Sequence, residues 1–184
     1  MTINTLSHMK FCFLSVFFIP FIHVFSDKAQ LFPSALMKHE TQWLMKVLEQ
    51  AHYNKVSIED LNSTDFINKF LGKLDKQKLY FTNDDVNEFH KKYSKTIKIH
   101  LQQGNLLPGF EIYNSYKTKA ISRLSWVLKE IEKKPTLFSD QNYTADRGAS
   151  TWASSKESLD PIWNKLIQSE YIREVMQQID TNVS

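Results

Sequence analysis

The 184-residue chain is 42% hydrophobic and 13% aromatic, enough for one domain with a real core, which excludes a disordered tail. Its 23 basic and 20 acidic side chains nearly cancel, so a pI of 8.8 is too weak a surplus to argue for nucleic acid or anionic lipid as a partner. Only 4 glycines and 5 prolines occur, which disfavours turn-dense β architecture and favours long helices.

The first 26 residues differ in kind from the rest. Lys10 is followed by an apolar run from Phe11 to Phe25, and Ser26 leads into the polar Asp27-Lys28. A basic start, an apolar run of this length and a small-residue exit predict a secretory signal peptide over 1–26, with 27–184 as the mature domain. An uncleaved anchor and a buried core segment are the competing readings. The run is short of the roughly 20 apolar residues that a bilayer span needs, so no stable membrane span is expected after cleavage. Met9-Lys10 is a tidier start than Met1. The single cysteine, Cys12, lies in the apolar run, so the mature chain has no thiol for a disulfide, a metal site or a nucleophile.

In the mature chain, Leu36, Met37, Leu44, Val47, Leu48 and Ala51 recur at helical spacing from Ser34 to about Tyr53, with Trp43 beside them and Ser34 as N-cap. Phe66, Ile67, Phe70, Leu71 and Leu74 predict a second helix over 63–74, capped by Ser63 or Thr64. After the connector Lys76 to Phe81, Thr82 and Asp85 resemble a capping box for a third helix. Its stripe is Val86, Phe89, Tyr93, Ile97 and Leu101, and Gly104 is its stop. Pro108-Gly109 opens a fourth helix that ends before Pro135. Residues 136–159 read as one long ordered loop, and Asp160-Pro161 predicts the N-cap and first residue of a last helix. The expectation is an all-α fold: an irregular bundle of about five helices with one long loop.

Chemistry is sparse. Ser94 and Lys98, one turn apart, are the nearest imitation of a serine–lysine pair, but they lie among Lys91, Lys92 and Lys95, where solvent keeps the amine protonated. That lysine run reads as a solvated helix face. Asp84-Asp85 reads as a cap, not a metal site, because adjacent carboxylates point to different faces. The 6 histidines are dispersed, with no HExxH, and His52 reads as a helix-end packing residue. The sequons at Asn62, Asn142 and Asn182 are incidental outside a eukaryotic secretory pathway. No catalytic residue, cofactor or metal is assigned. In the loop, Asp146-Arg147 between Tyr143 and Trp152 either pins the loop by a partly buried ion pair or meets a partner; pinning is favoured because an irregular loop needs anchors. Trp126 and Trp163 either pack or sit at a contact surface.

The series Leu74-Asp75-Lys76-Gln77-Lys78-Leu79-Tyr80-Phe81, then Asn83-Asp84-Asp85-Val86-Asn87-Glu88-Phe89, resembles the N-terminal region of the tail-specific (carboxy-terminal-processing) proteases. That family carries a similar "LD-x-x-K-x-Y-F-x-x-x-D-[VI]-x-x-F" passage. Tyr113, Arg123, Val127-Leu128, Pro135, Phe138, Tyr143, Asp146-Arg147, Trp152 and Leu159 to Lys165 follow in matching order, so the similarity runs from about Leu36 to Lys165. The resemblance implies a periplasmic protein of a Gram-negative bacterium. Full-length relatives join this region to a PDZ domain and a protease domain with a serine–lysine dyad, and neither follows here. The expectation is therefore a C-terminally truncated, non-catalytic helical module. Its implied partners are proteins: the protease PDZ and catalytic regions, a protein substrate or an adaptor lipoprotein. A free-standing periplasmic interaction module is the alternative.

Overall fold

The computed structural model describes residues 29–50, 57–133 and 142–183. The expected signal segment, His52-Tyr53, Pro135 and Phe138 lie outside the described residues. Among those described, six α-helices and one 3-10 turn follow in order: α1 Ala35–Gln50, the turn Ile58–Asp60, α2 Ser63–Leu74, α3 Asn83–Tyr93, α4 Ile97–Gln102, α5 Leu107–Glu132 and α6 Lys156–Val183. The fold is all-α.

Local chemistry explains most boundaries. Ser34 Oγ accepts from the Met37 amide at 3.3 Å, starting α1 where the sequence places it. The cap of α2 is Asn62, one residue before the expected pair, with its side chain accepting from Asp65 N at 3.1 Å. Thr82 and Asp85 form the full capping box of α3, each side chain bonding the other's backbone amide.

Two boundaries differ from expectation. The single helix expected from 83 to 101 breaks after Tyr93. There the Thr96 amide takes the Tyr93 carbonyl in a tight turn, and α4 restarts with Ile97 buried and Ile99 exposed. The last helix starts at Lys156, so Asp160 is not its cap and Pro161 lies inside it. Ser155 Oγ accepts from the Ser158 amide, which supplies an earlier start, and Asp160 is engaged elsewhere by Arg123. Pro161 still falls in the second turn, where its missing N–H leaves the carbonyl of Glu157 without a helix partner.

The core has two centres. Ile67, Leu71, Phe81, Val86, Tyr93 and Ile112 form the first, under α2, α3 and α5. Ala153, Leu159 and Trp163 form the second, backed by Leu79, Tyr80, Trp126, Val127, Ile162 and Leu166. The connector between α2 and α3 belongs to both, inserting Phe81 into one and Leu79 and Tyr80 into the other.

Helix α1 is built otherwise. An apolar helical stripe ordinarily faces the core, yet no residue of α1 is buried. Thr41, Gln42, Met45 and Val47 are its half-buried residues. Leu36 (65% exposed), Met37, Trp43 (67% exposed), Leu44 and Leu48 are turned to solvent. Polar contacts anchor the helix and the segment just before it. Asn114 exchanges two hydrogen bonds with the Leu31 backbone (2.9 and 2.8 Å), and Gln42 Nε2 donates to the Gln103 carbonyl at 3.1 Å. Gly104, with φ +66°, lies so close that a Cβ there would stand 2.3 Å from the Lys38 carbonyl oxygen.

Candidate functional site: the 75–82 connector and the 142–155 loop

Asp75, 2% exposed, follows the last residue of α2. Its Oδ1 accepts from Leu79 N at 2.8 Å, and its Oδ2 accepts from Tyr80 N and Phe81 N, both at 2.9 Å. One buried carboxylate thus satisfies three amides of a segment that has no ladder of its own. Lys78 completes the curl in the left-handed region, φ +54°. Its ammonium donates to the Ser150 carbonyl and lies 5.6 Å from the Trp152 ring centre.

Held in this way, the aromatic side chains meet edge to face. Tyr80 stands 5.2 Å from Tyr116 and 5.6 Å from Trp163, while Phe81 stands 5.6 Å from Phe89 and 6.1 Å from Trp152. Burial, with Tyr116 and Asp75 nearby, pushes the Tyr80 phenol up, so it stays neutral. A parallel bridge pairs Thr82 with Ala153, and Asn83 N donates to the Ala153 carbonyl at 2.8 Å.

Of the two tryptophans, Trp163 is core and not a contact surface. It is 6% exposed, and its indole N–H donates to the Leu79 carbonyl at 2.8 Å. Trp126 is half-buried beneath Arg123, whose guanidinium lies 4.8 Å from one tryptophan ring and 6.0 Å from the other. Buried Arg123 also pairs with Asp160 at 2.5 Å and donates to the Lys156 carbonyl at 3.4 Å, fastening α5 to the start of α6. Neither Arg123 nor Asp160 announces this pairing in the sequence, because 37 residues separate them.

The loop residues Tyr143, Asp146, Arg147 and Trp152 are not one cluster. Trp152 packs on the first core centre. Asp146 and Arg147 form no ion pair among the described residues. The bond to the body is made by Gln77, whose Oε1 accepts from Arg147 N at 2.7 Å and whose Nε2 donates to Asp146 Oδ1 at 3.3 Å. A primary amide offers a donor and an acceptor side by side, which an ion pair between loop neighbours does not. The Gly148 amide, at 2.9 Å, and Gln77 hold the Asp146 carboxyl below its ordinary range. Tyr143 is half-buried. Burial and Glu170 push its phenol up, against the pull of Arg147 and Arg173.

Ser94 and Lys98 do not meet. Lys98 Nζ donates to the Glu59 carbonyl at 2.5 Å, and Ser94 Oγ contacts His90 Nδ1 at 3.1 Å. The other nitrogen of His90 lies 2.8 Å from Asn68 Oδ1, so the imidazole joins α3 to α2. Among the described residues no group of three or more His, Cys, Asp or Glu side chains could hold a metal ion, and no helix is long and apolar enough to cross a membrane.

This geometry defines an all-α module whose residues of the 75–82 and 152–163 segments hold two core centres together. The family described as "Tail specific protease N-terminal domain" matches residues 44–183. The chain belongs to that family. It is also 24% identical over 125 residues to the tail-specific protease of Haemophilus influenzae, an alignment covering 68% of this chain. The chain spans 18% of that relative's length.

Proposed function

We propose that this chain acts as a non-catalytic docking module for a tail-specific protease in the bacterial envelope, positioning protein partners and not cutting them. The observation that carries the reading is the outward stripe of α1. A free-standing binder of ordinary solubility would present a polar outer surface there, whereas Leu36, Trp43, Leu44 and Leu48 are exposed together on one helix face. A stripe of this kind suits a partner that covers it. In support of the non-catalytic reading, the serine–lysine pair weighed in the sequence does not form: Ser94 contacts His90 and Lys98 bonds the Glu59 carbonyl. Export rests on the basic start, apolar run and small-residue exit of 1–26.

The test mixes the purified mature chain with a tail-specific protease lacking its own N-terminal domain and follows complex formation by sedimentation. A complex that Trp43→Glu and Leu44→Glu abolish is expected, with no casein cleavage by the chain alone. A monomer that ignores the truncated protease would overturn the docking reading and favour an independent interaction module. Casein cleavage by the chain alone would overturn the non-catalytic one. Cell fractionation with N-terminal sequencing checks export: a periplasmic product beginning near Asp27 is expected.

A further inference from the structure

The turn from α4 into α5 holds a histidine whose bonding suits only one of its protonation states. Gly104, in the left-handed region, ends α4 in a Schellman closure. Its amide donates to the Leu101 carbonyl at 3.0 Å, and the Asn105 amide donates to the His100 carbonyl at 2.8 Å. The side chains of the same two residues meet across the turn, with Asn105 Nδ2 standing 3.0 Å from His100 Nδ1. Asn105 Oδ1 accepts from the Leu107 amide at 3.1 Å, where α5 begins. A backbone N–H only donates, so the Asn105 oxygen is committed to Leu107 and the NH2 group faces the imidazole. His100 Nδ1 is therefore the acceptor, which it is only while it carries no proton. Turning the Asn105 amide over would suit a charged imidazole but would set its NH2 against the Leu107 N–H. Protonation costs this turn a bond either way.

The same turn seats α1. Gln42 Nε2 donates to the Gln103 carbonyl, and the Lys38 carbonyl and Gln42 side chain lie close against Gly104. From α1 the turn thus meets two uncharged groups, while Lys38, His39, Glu40, Lys46 and Glu49 are exposed residues. From α3, the Tyr93 ring stands edge to face with His100 at 6.4 Å. The Tyr93 hydroxyl bonds Glu111 of α5, which also pairs with Lys92. The 3-10 turn contributes Glu59, whose carboxylate accepts from Gln102 and whose carbonyl accepts from Lys98. Bonds from Lys92 and Tyr93, with His100 a lesser contributor, hold the Glu111 carboxyl below its ordinary range. Glu111 is therefore charged when an imidazole gains its proton, and attracts the cation.

We propose that the His100–Asn105 pair is a proton-sensitive latch for α1: with His100 neutral the turn is closed and seats the helix, and with His100 charged the turn loosens and α1 is released from it. The bond belongs to the neutral imidazole, so it is complete above the range in which histidine takes up its proton and is lost as pH falls through that range. The consequence for function rests on the docking reading, since α1 carries the exposed stripe assigned to a partner. The latch itself is a property of the chain alone.

The test follows amide hydrogen exchange of the purified, ¹⁵N-labelled mature chain between about pH 8 and pH 5, with each rate divided by its intrinsic value at that pH. The Asn105 Nδ2–H resonances should shift together with the His100 ring. Over the same midpoint the protection of α1 amides should fall about fivefold, the loss expected of one hydrogen bond, while α2 and α3 stay protected. Asn105→Asp keeps an oxygen for Leu107 and offers a second one to the charged imidazole, so α1 should no longer loosen in acid. His100→Phe has neither acceptor nor charge, and its α1 should exchange at the acid rate of the wild type at every pH. No fall in the wild type, or a fall that N105D or H100F retains in full, would overturn the proposal. The measurement needs no partner, so a missing pH response and a missing complex with the truncated protease are separate failures.

Discussion

Between Asp75 and Thr82 nearly every group is inserted into something, whereas along α1 no side chain is buried. The connector has no regular structure, yet it is fixed by a buried carboxylate, a left-handed lysine and rings from both core centres. Helix α1 has regular structure and an apolar stripe, but its anchors are a Gln42 bond, the close approach of Gly104, and Asn114 on the chain just ahead of it. Regularity of backbone and strength of attachment are therefore separate properties. A helix supplies its own hydrogen bonds and can sit lightly on its neighbours, while an irregular segment must borrow partners and becomes rigid where it finds them.

The sharpest way to break this contrast is to remove the carboxylate. Asp75→Ala leaves three buried amides without acceptors and should cost on the order of 3 kcal/mol or more in urea unfolding. Asp75→Asn should cost less, since one oxygen remains. Next comes Trp163→Phe, which deletes the bond to the Leu79 carbonyl and leaves a smaller ring beside Arg123, for about 1–3 kcal/mol. Gly104→Ala tests the other side. The positive φ and the nearby Lys38 carbonyl make it unfavourable by about 1–2 kcal/mol, and hydrogen exchange should show the loss confined to α1 amides while α2 and α3 stay protected.

Trp43→Ser, on the exposed stripe, should change the stability of the isolated chain by less than about 0.5 kcal/mol. A larger loss than that of Trp163→Phe would reverse the comparison. The smallest effect is expected from pH. Hydrogen bonds from Lys92 and Tyr93 hold the Glu111 carboxyl below its ordinary value of 4.5. Its contribution is complete above that value and is lost as pH falls through the lowered one. The difference in urea midpoint between the wild type and Glu111→Gln should thus be present at pH 7 and shrink towards zero in acid.

The all-α class and the capping box of Thr82 and Asp85 were legible because both are written within a few consecutive residues. What escaped had partners far away. Asp75 stood inside the family passage, but its role depends on three amides curling back over it, which no spacing rule encodes. Asp160-Pro161 was a good local start signal, and it lost to Ser155 and to the pull of Arg123. The apolar period of α1 revealed that a face exists and was silent on its direction, since periodicity names the stripe and not what covers it. In the loop, Asp146 and Arg147 looked like each other's partners. Gln77, a residue with no distinguishing context in the sequence, took both instead.

The bond from Trp163 to the Leu79 carbonyl joins residues 84 positions apart. Until residue 163 has left the ribosome, the second core centre lacks its largest ring, while α2, α3 and the start of α5 can already pack around Phe81. Closing so wide a loop is entropically costly and slow. We therefore expect assembly in two stages, a nucleus from 63 to 116 and a late closure by α6. In pulse-labelling during refolding, the amides near Leu159 should gain protection after those of α2 and α3.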